Sequence, residues 1–237
     1  KVYTRLTQNQ KRLNFWIDAR GVWEALFTDE TGYLSFLKNE YSKQIDELLR
    51  VCRKNDVEVF LVYCPSTKPG SAKYVSQKLC REFFSTVASK NEIKFIDATD
   101  RMRKYEFHYT TLFPDDLHLS RFGNQLLAEV ISAELTKVID HKATFDYSFT
   151  EDSQDIGVLG NWSGTYYHFA GHDINVTRNG FRGEDEILIP KEKQRVVCLG
   201  DSFTFGHGVG NEFTYPYFLQ QLNPRCEVLN FGVCGTT

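Results

Sequence analysis

Hydrophobic positions recur with helical spacing in several stretches of the first 140 residues. Apolar side chains repeat every three or four residues over 34–53, 75–87 and 121–139, which places them on one face of a helix. The pattern predicts three amphipathic helices. Residues 13–27 repeat in a similar way and also fit a helix better than a strand.

Four short runs are rich in β-branched and aromatic residues and predict strands. They are "VEVFLVYC" (57–64), "IKFID" (93–97), "VVCLG" (196–200) and "CEVLNF" (226–231). The third is hydrophobic throughout, as a parallel strand covered on both faces requires. A predicted helix over 214–222 joins the last two into a β-α-β unit. Strands alternating with helices indicate the α/β class with a parallel sheet.

Residues 142–194 have a different character. Aromatic residues such as Tyr147, Trp162, Tyr166 and Tyr167 stand there among glycine, asparagine and serine. Because aromatic side chains need burial, we expect short extended pieces and turns there, not a linker.

Composition excludes several classes of function. The chain has 237 residues, of which 41% are hydrophobic and 25% charged, as in ordinary globular proteins. A net charge of -3 gives no support for nucleic-acid binding, which would need a basic face. No apolar run reaches the roughly 18 residues of a membrane span. Lys1 and the final "CGTT" suggest that both ends are cut, so the length suits one large domain or parts of two.

The cysteines and histidines show no metal-ligand spacing. None of the six cysteines forms a C-x-x-C pair, so we expect reduced core thiols, which favours a reducing, cytoplasmic compartment. His168 and His172 are four residues apart, but Gly171 and the lack of a helical pattern argue against a metal pair. His207 either lines a pocket or faces solvent.

A serine follows the strand at 196–200. In open α/β sheets, ligands bind beyond the carboxyl ends of the strands, and Ser202 lies two residues past such an end. Gly200 permits a sharp turn, and Gly206 and Gly208 permit close backbone approach. A nucleophile with backbone N–H groups nearby fits this place. On its own, however, G-D-S is more often a structural turn.

Longer strings around this serine resemble a known family. "VVCLGDSFTFGHGV" (196–209) resembles the first block of the GDSL/SGNH hydrolases, and "VLNFGVCGTT" (228–237) is similar to their second block. "NGFRGED" (179–185) is similar to the segment that commonly precedes the first block. "PDDLHLSRFGNQLLAEVI" (114–131) resembles the final block, which is D-x-x-H followed by a glycine and a helix.

The resemblance implies a fold and a set of roles. The fold would be a flavodoxin-like three-layer α/β/α sandwich with a parallel sheet. Ser202 would be the nucleophile, His118 the general base and Asp115 the carboxylate that orients His118. The backbone N–H groups of Ser202 and Gly232 would bind the oxyanion. No metal or organic cofactor is implied.

The order of the blocks, their number and the strands they supply depart from the family. The Asp/His block precedes the serine block, and the third block, G-x-N-D, is absent. "LGNWSG" (159–164) and "GNQ" (123–125) are poor substitutes for its asparagine. In the family's strand order 2-1-3-4-5, the central strand is also missing. Only "LNFWIDA" (13–19) could supply this central strand, but its hydrophobic pattern fits a helix better than a strand.

Three arrangements explain the inverted order: a tandem protein cut between domains, a circular permutation, or one domain reassembled from pieces. We favour the tandem or truncated arrangement. Residues 1–141 would then be the C-terminal half of one domain, 142–194 an aromatic-rich segment, and 195–237 the N-terminal half of the next. Ser202 and His118 would belong to different sites, unless the halves dock.

We expect a serine esterase that cleaves carboxylic esters, for example an acetyl group on a carbohydrate, through an acyl-enzyme. One alternative is a non-catalytic carbohydrate- or acyl-binding module in which Trp162, Tyr166 and Tyr167 stack on sugar rings. The other is an O-acyltransferase, in which a sugar hydroxyl replaces water. The partner in each case is a small-molecule or carbohydrate ester.

Overall fold

The structure is a computed structural model that describes residues 30–65, 73–105, 109–114, 118–139, 165–169, 172–177, 181–183 and 193–233. These residues form a mixed α/β protein with small sheets. The chain divides into two compact units, Lys1–Leu61 with Pro69–Phe95, and Val62–Lys68 with Ile96–Thr237. None of the described helices is both long enough and apolar enough to cross a membrane.

The elements follow one another in this order: α1 Glu30–Lys54, β1 Phe60–Tyr63, α2 Lys73–Lys90, β2 Lys94–Asp97, α3 Thr99–Arg103, α4 Tyr109–Leu112, α5 Arg121–Leu135, β3 Thr165–Phe169, β4 His172–Val176, β5 Gln194–Gly200, α6 Ser202–Phe205, a 3-10 turn Asn211–Phe213, α7 Tyr215–Leu222 and β6 Cys226–Gly232. The predicted helices and strands within the described residues are confirmed as elements, with some ends shifted by a few residues. The expectation that the strand over 196–200 is covered on both faces is wrong, because Val197 is 46% and Leu199 57% exposed. The helix predicted over 13–27 lies outside the described residues.

The first unit contains the two amphipathic helices α1 and α2, which pack against each other. Leu49 of α1 and Leu79 and Phe83 of α2 are buried, as their spacing predicts. The rings of Tyr41 and Phe84 meet edge to face with centroids 5.8 Å apart. Burial of these apolar faces stabilises both helices.

The second unit contains the predicted β-α-β element. Strands β5 and β6 pair in parallel, from Gln194 opposite Cys226 to Gly200 opposite Gly232. Helix α7 makes the crossover, and its Leu219 is fully buried. The parallel arrangement places the ends of both strands at one edge, next to Ser202.

An antiparallel hairpin accounts for part of the aromatic-rich segment. Strands β3 and β4 pair from Thr165 opposite Val176 to Phe169 opposite His172. Arg182 then forms single antiparallel bridges with Val176 and with Asn230 of β6. For the described residues, the expectation of short extended pieces and turns is confirmed.

Within the described residues, the strands form pairs only. β1 pairs with β2, β3 with β4 and β5 with β6. The central strand that the flavodoxin-like order needs is absent from the described part of the chain. The segment "LNFWIDA" (13–19), which could fill this place, lies outside that part.

Candidate active site

Ser202 is the first residue of the short helix α6, directly beyond β5. The Asp201 carboxylate caps this helix by accepting the Phe203 N–H, with Oδ1 and N 3.0 Å apart. Gly206 ends the helix with φ 85°, a conformation that costs glycine little. The N–H groups of Gly206 and His207 both donate to the Ser202 carbonyl at 3.0 Å. The short helix is therefore capped at both ends.

Two glycines allow α6 to lie close to the strand ends. Gly200 and Gly232 stand opposite each other in the parallel pair. A Cβ added to Gly232 would overlap the backbone nitrogen of Phe205, and one added to Gly200 would overlap the Thr204 side chain. Close approach, and not a positive φ, is therefore what both positions require. It places Ser202 at the carboxyl edge of the sheet.

His118 lies just before α5, in a loop held by hydrogen bonds. Ser120 caps the helix by accepting the Gly123 N–H, with Oγ and N 3.1 Å apart. The Ser120 N–H donates to the Leu112 carbonyl at 2.7 Å, and its hydroxyl donates to the Thr111 carbonyl. This capping arrangement orders the backbone two residues after the histidine.

The structure brings His118 and Ser202 together. Nε2 of His118 lies 3.0 Å from Oγ of Ser202, although the residues are 84 positions apart. Both side chains are half-buried. A neutral imidazole accepts a hydroxyl proton at this separation, which is the geometry that a general base needs. Both residues belong to the second unit.

The third predicted member of the triad, Asp115, lies outside the described residues. Asp201 is the carboxylate next to Ser202 in sequence, but it caps α6 through the Phe203 N–H. The described residues therefore include the nucleophile–base pair of the predicted triad.

The two predicted oxyanion donors differ in their surroundings. The Ser202 N–H has no acceptor among the described residues. The Gly232 N–H donates to Oδ1 of its near neighbour Asn230 at 3.0 Å. Only the first donor is thus available to a ligand without rearrangement.

Buried hydrogen bonds join the two sequence blocks. The Asn124 side chain on α5 accepts the Tyr215 N–H at the start of α7, with Oδ1 and N 2.9 Å apart. Eight residues further along both segments, the Asn223 amide donates to the Ser132 hydroxyl at 3.0 Å. All four residues are buried. Helices α5 and α7 therefore pack as neighbours, one from each block.

A buried phenol and thiol lie beneath α6. The Tyr215 hydroxyl is 3.1 Å from Thr204 Oγ1. Burial raises the pKa of Tyr215 well above its ordinary value and raises that of Cys198 to about 12. Both groups are therefore protonated at neutral pH. None of the five cysteines among the described residues is in a disulfide.

Sequence reasoning missed Arg182, which is almost fully buried. Its guanidinium donates to the carbonyls of Phe205, Gly206 and Val209 at 2.7, 2.7 and 2.6 Å. It also donates to Asn211 Oδ1 at 2.9 Å. One side chain thus ties down the loop after Ser202. An arginine within "NGFRGED" was the only signal, and spacing did not point to its contacts.

His207 lies in that loop and contacts His118. The two imidazole rings stack with centroids 4.1 Å apart and planes inclined by 26°. The Phe203 ring is 5.8 Å from that of His118. Of the two alternatives for His207, a place in the site is therefore the one that the geometry favours.

The aromatic residues and the histidine pair named as further candidates form no site among the described residues. Trp162 lies outside the described residues, and Tyr166 and Tyr167 lie on β3. His168 and His172 stand on the two strands of a hairpin, not on a helix. Within the described part of the chain, no three His, Cys, Asp or Glu side chains cluster as a metal site would require.

The chain was compared with protein families, curated proteins and solved structures. No family model, curated protein or solved structure matches the chain.

Proposed function

We propose that this protein is a serine hydrolase of the esterase type, with Ser202 as nucleophile and His118 as general base. The observation that carries the proposal is the 3.0 Å separation between Ser202 Oγ and His118 Nε2. It agrees with the roles that the GDSL/SGNH resemblance implies. The substrate would be a carboxylic ester, for example an acetyl group on a carbohydrate. We also propose that the complete fold is the flavodoxin-like three-layer α/β/α sandwich of that family.

The reaction follows from this pair. Ser202 Oγ attacks the ester carbonyl carbon while its proton passes to His118 Nε2. The bond from that carbon to the alcohol oxygen breaks, and the alcohol takes the proton from Nε2. The acyl group remains on Oγ until water, deprotonated by the same nitrogen, attacks its carbonyl carbon. The bond from that carbon to Oγ then breaks, Oγ takes back the proton from Nε2, and the acyl group leaves as a carboxylic acid. Asp115 would stabilise the imidazolium that forms twice in this cycle.

The negative charge on the carbonyl oxygen needs hydrogen-bond donors. The Ser202 N–H fits this role because no described group accepts it. The Gly232 N–H would contribute only if it is shared with Asn230 or released by it. With the family's asparagine absent, we expect modest stabilisation of the oxyanion and slow turnover.

The proposal assigns Ser202 and His118 of the same chain to one centre. The Asn124–Tyr215 and Asn223–Ser132 bonds support it, because they tie the His118 block to the Ser202 block. The tandem arrangement that the sequence favoured would separate these blocks. Mixing Ser202→Ala with His118→Ala protein tests the point. A single-chain centre gives no recovery of activity, whereas recovery would show that the pair forms between copies.

A fluorophosphonate probe tests the nucleophile. We expect covalent labelling at Ser202 and hydrolysis of p-nitrophenyl acetate by the parent protein. Ser202→Ala should lose both and keep its thermal melting temperature, because it removes one half-buried hydroxyl. Ser89→Ala, which changes an exposed serine on α2, is the matched control. Hydrolysis by Ser202→Ala at the parent rate would refute the proposal.

The two alternatives give different results in the same experiments. A non-catalytic binding module would not be labelled. An O-acyltransferase would be labelled, but the acyl group would appear on an added sugar hydroxyl and not in water. Product analysis with and without a sugar acceptor separates transfer from hydrolysis.

A further inference from the structure

The imidazole of His207 lies almost flat on that of His118. The centroids are 4.1 Å apart and the planes are inclined by 26°. His207 is half-buried, and its N–H donates to the carbonyl of Ser202 itself at 3.0 Å. The residue therefore contacts both members of the proposed pair, through its ring and through its backbone.

The loop that carries His207 has a defined path. Gly206 and Gly208 flank the histidine with φ values of 85° and 79°. An added Cβ at Gly208 would meet nothing within 4 Å, so the conformation and not the space calls for glycine there. The glycines on both sides of His207 therefore determine the path of the backbone there.

The buried Arg182 side chain is hydrogen-bonded to the same loop. Its guanidinium donates to the carbonyls of Phe205 and Gly206 before the histidine and of Val209 after it. Three charge-assisted hydrogen bonds within five residues restrict motion of this backbone. The backbone that carries the His207 ring is therefore fixed in place next to His118.

A general base must keep its nitrogen on the hydroxyl, and rotation of the His118 side chain would move Nε2 away from Ser202. Contact with a second flat ring restricts such rotation. Stacked aromatic pairs contribute an amount that corresponds to about a two- to tenfold change in a rate or population.

From these contacts we infer that His207 is a positioning residue, whose ring holds the imidazole of His118 against Ser202 Oγ. The expected effect of His207 on the reaction rate rests on the proposed function. The stacking itself is a property of the folded chain that is measurable without activity.

Three substitutions separate the ring from the bulk of the side chain. His207→Phe keeps a flat ring, His207→Leu keeps volume without one, and His207→Ala removes both. We expect the leucine and alanine variants to lose about three- to tenfold in kcat and in the rate of fluorophosphonate labelling, with KM unchanged. Phenylalanine should restore most of the loss. His172→Leu, on β4, serves as the matched histidine control.

The outcomes are distinct. Equal rates for the leucine and phenylalanine variants, or a loss confined to KM, would overturn the positioning role. If the parent protein neither labels nor hydrolyses, the proposed function fails, and NMR decides the inference. Expected are a nuclear Overhauser contact between the two imidazoles and sharp His118 ring signals that broaden in His207→Leu but not in His207→Phe. Unchanged signals in all variants would refute it.

Discussion

Asn124 offers the sharpest test of the way the two blocks are joined. It is 1% exposed and lies on α5, four residues after the turn that follows His118. Its Oδ1 accepts the Tyr215 N–H at 2.9 Å. Its amide donates to the carbonyls of Leu119 at 3.1 Å and Ser120 at 3.0 Å. Asn124→Ala removes all three bonds at once.

The size of the effect follows from what each partner loses. The Tyr215 N–H is the first of α7 and is buried, so it keeps no partner inside its own helix. An orphaned buried donor costs about 1–3 kcal/mol. The Ser120 carbonyl keeps the Asn124 backbone N–H, whereas the Leu119 carbonyl loses a donor. We expect Asn124→Ala to lower the free energy of unfolding by about 2–4 kcal/mol.

Urea denaturation followed by circular dichroism measures this change. Gln125→Ala is the matched control, because it alters the next residue of the same helix at an exposed position, where we expect less than about 0.5 kcal/mol. The fluorophosphonate labelling rate of Asn124→Ala should also fall at urea concentrations that leave the parent intact. A loss no larger than that of Gln125→Ala would refute the packing of α5 on α7.

Three further predictions concern the surroundings of Ser202. Gly232→Ala should abolish labelling and lower stability, measured by thermal melting, because its Cβ would overlap the backbone of α6. Arg182→Met should reduce the free energy of unfolding in urea by about 3 kcal/mol or more, since it removes three charge-assisted hydrogen bonds to buried carbonyls; a loss below about 1 kcal/mol would contradict the loop contacts. Burial raises the pKa of Cys198 to about 12 from an ordinary 9.0. The folded state therefore holds this proton more tightly, so its contribution to stability is full below pH 9 and declines as pH rises toward 12. Urea midpoints between pH 8 and 11 should fall less steeply in Cys198→Ala than in the parent, and equal slopes would contradict the shift.

Local patterns predicted the elements well, for a physical reason. Leu49 and Phe83 are buried because apolar residues with helical spacing must share one face, whatever that face meets. The run "VVCLG" became β5 because β-branched residues fit an extended backbone. Short elements such as α3, α4 and α6 escaped prediction, since four or five residues are too few to show a period.

The chemistry of single residues was harder to predict than the elements. Asn230 interrupts an apolar strand, and that interruption was the only sign of a buried polar role. Its side chain accepts the Gly232 N–H, which no motif indicates. Arg182 binds backbone carbonyls more than twenty positions away. Contacts of this kind depend on where a loop passes in space, and sequence spacing does not encode it.

The sequence by itself determined the longer helices and the strands of the β-α-β unit, because periodicity and side-chain shape act over a few residues. It also indicated Ser202 and His118 as candidates, through the residues around each. Only the tertiary structure decided that Nε2 and Oγ meet at 3.0 Å across 84 positions. It did so through buried contacts between α5 and α7 and through two glycines that admit α6 to the strand ends. Such long-range contacts arise from packing of faces, and local sequence patterns specify a face without specifying its partner.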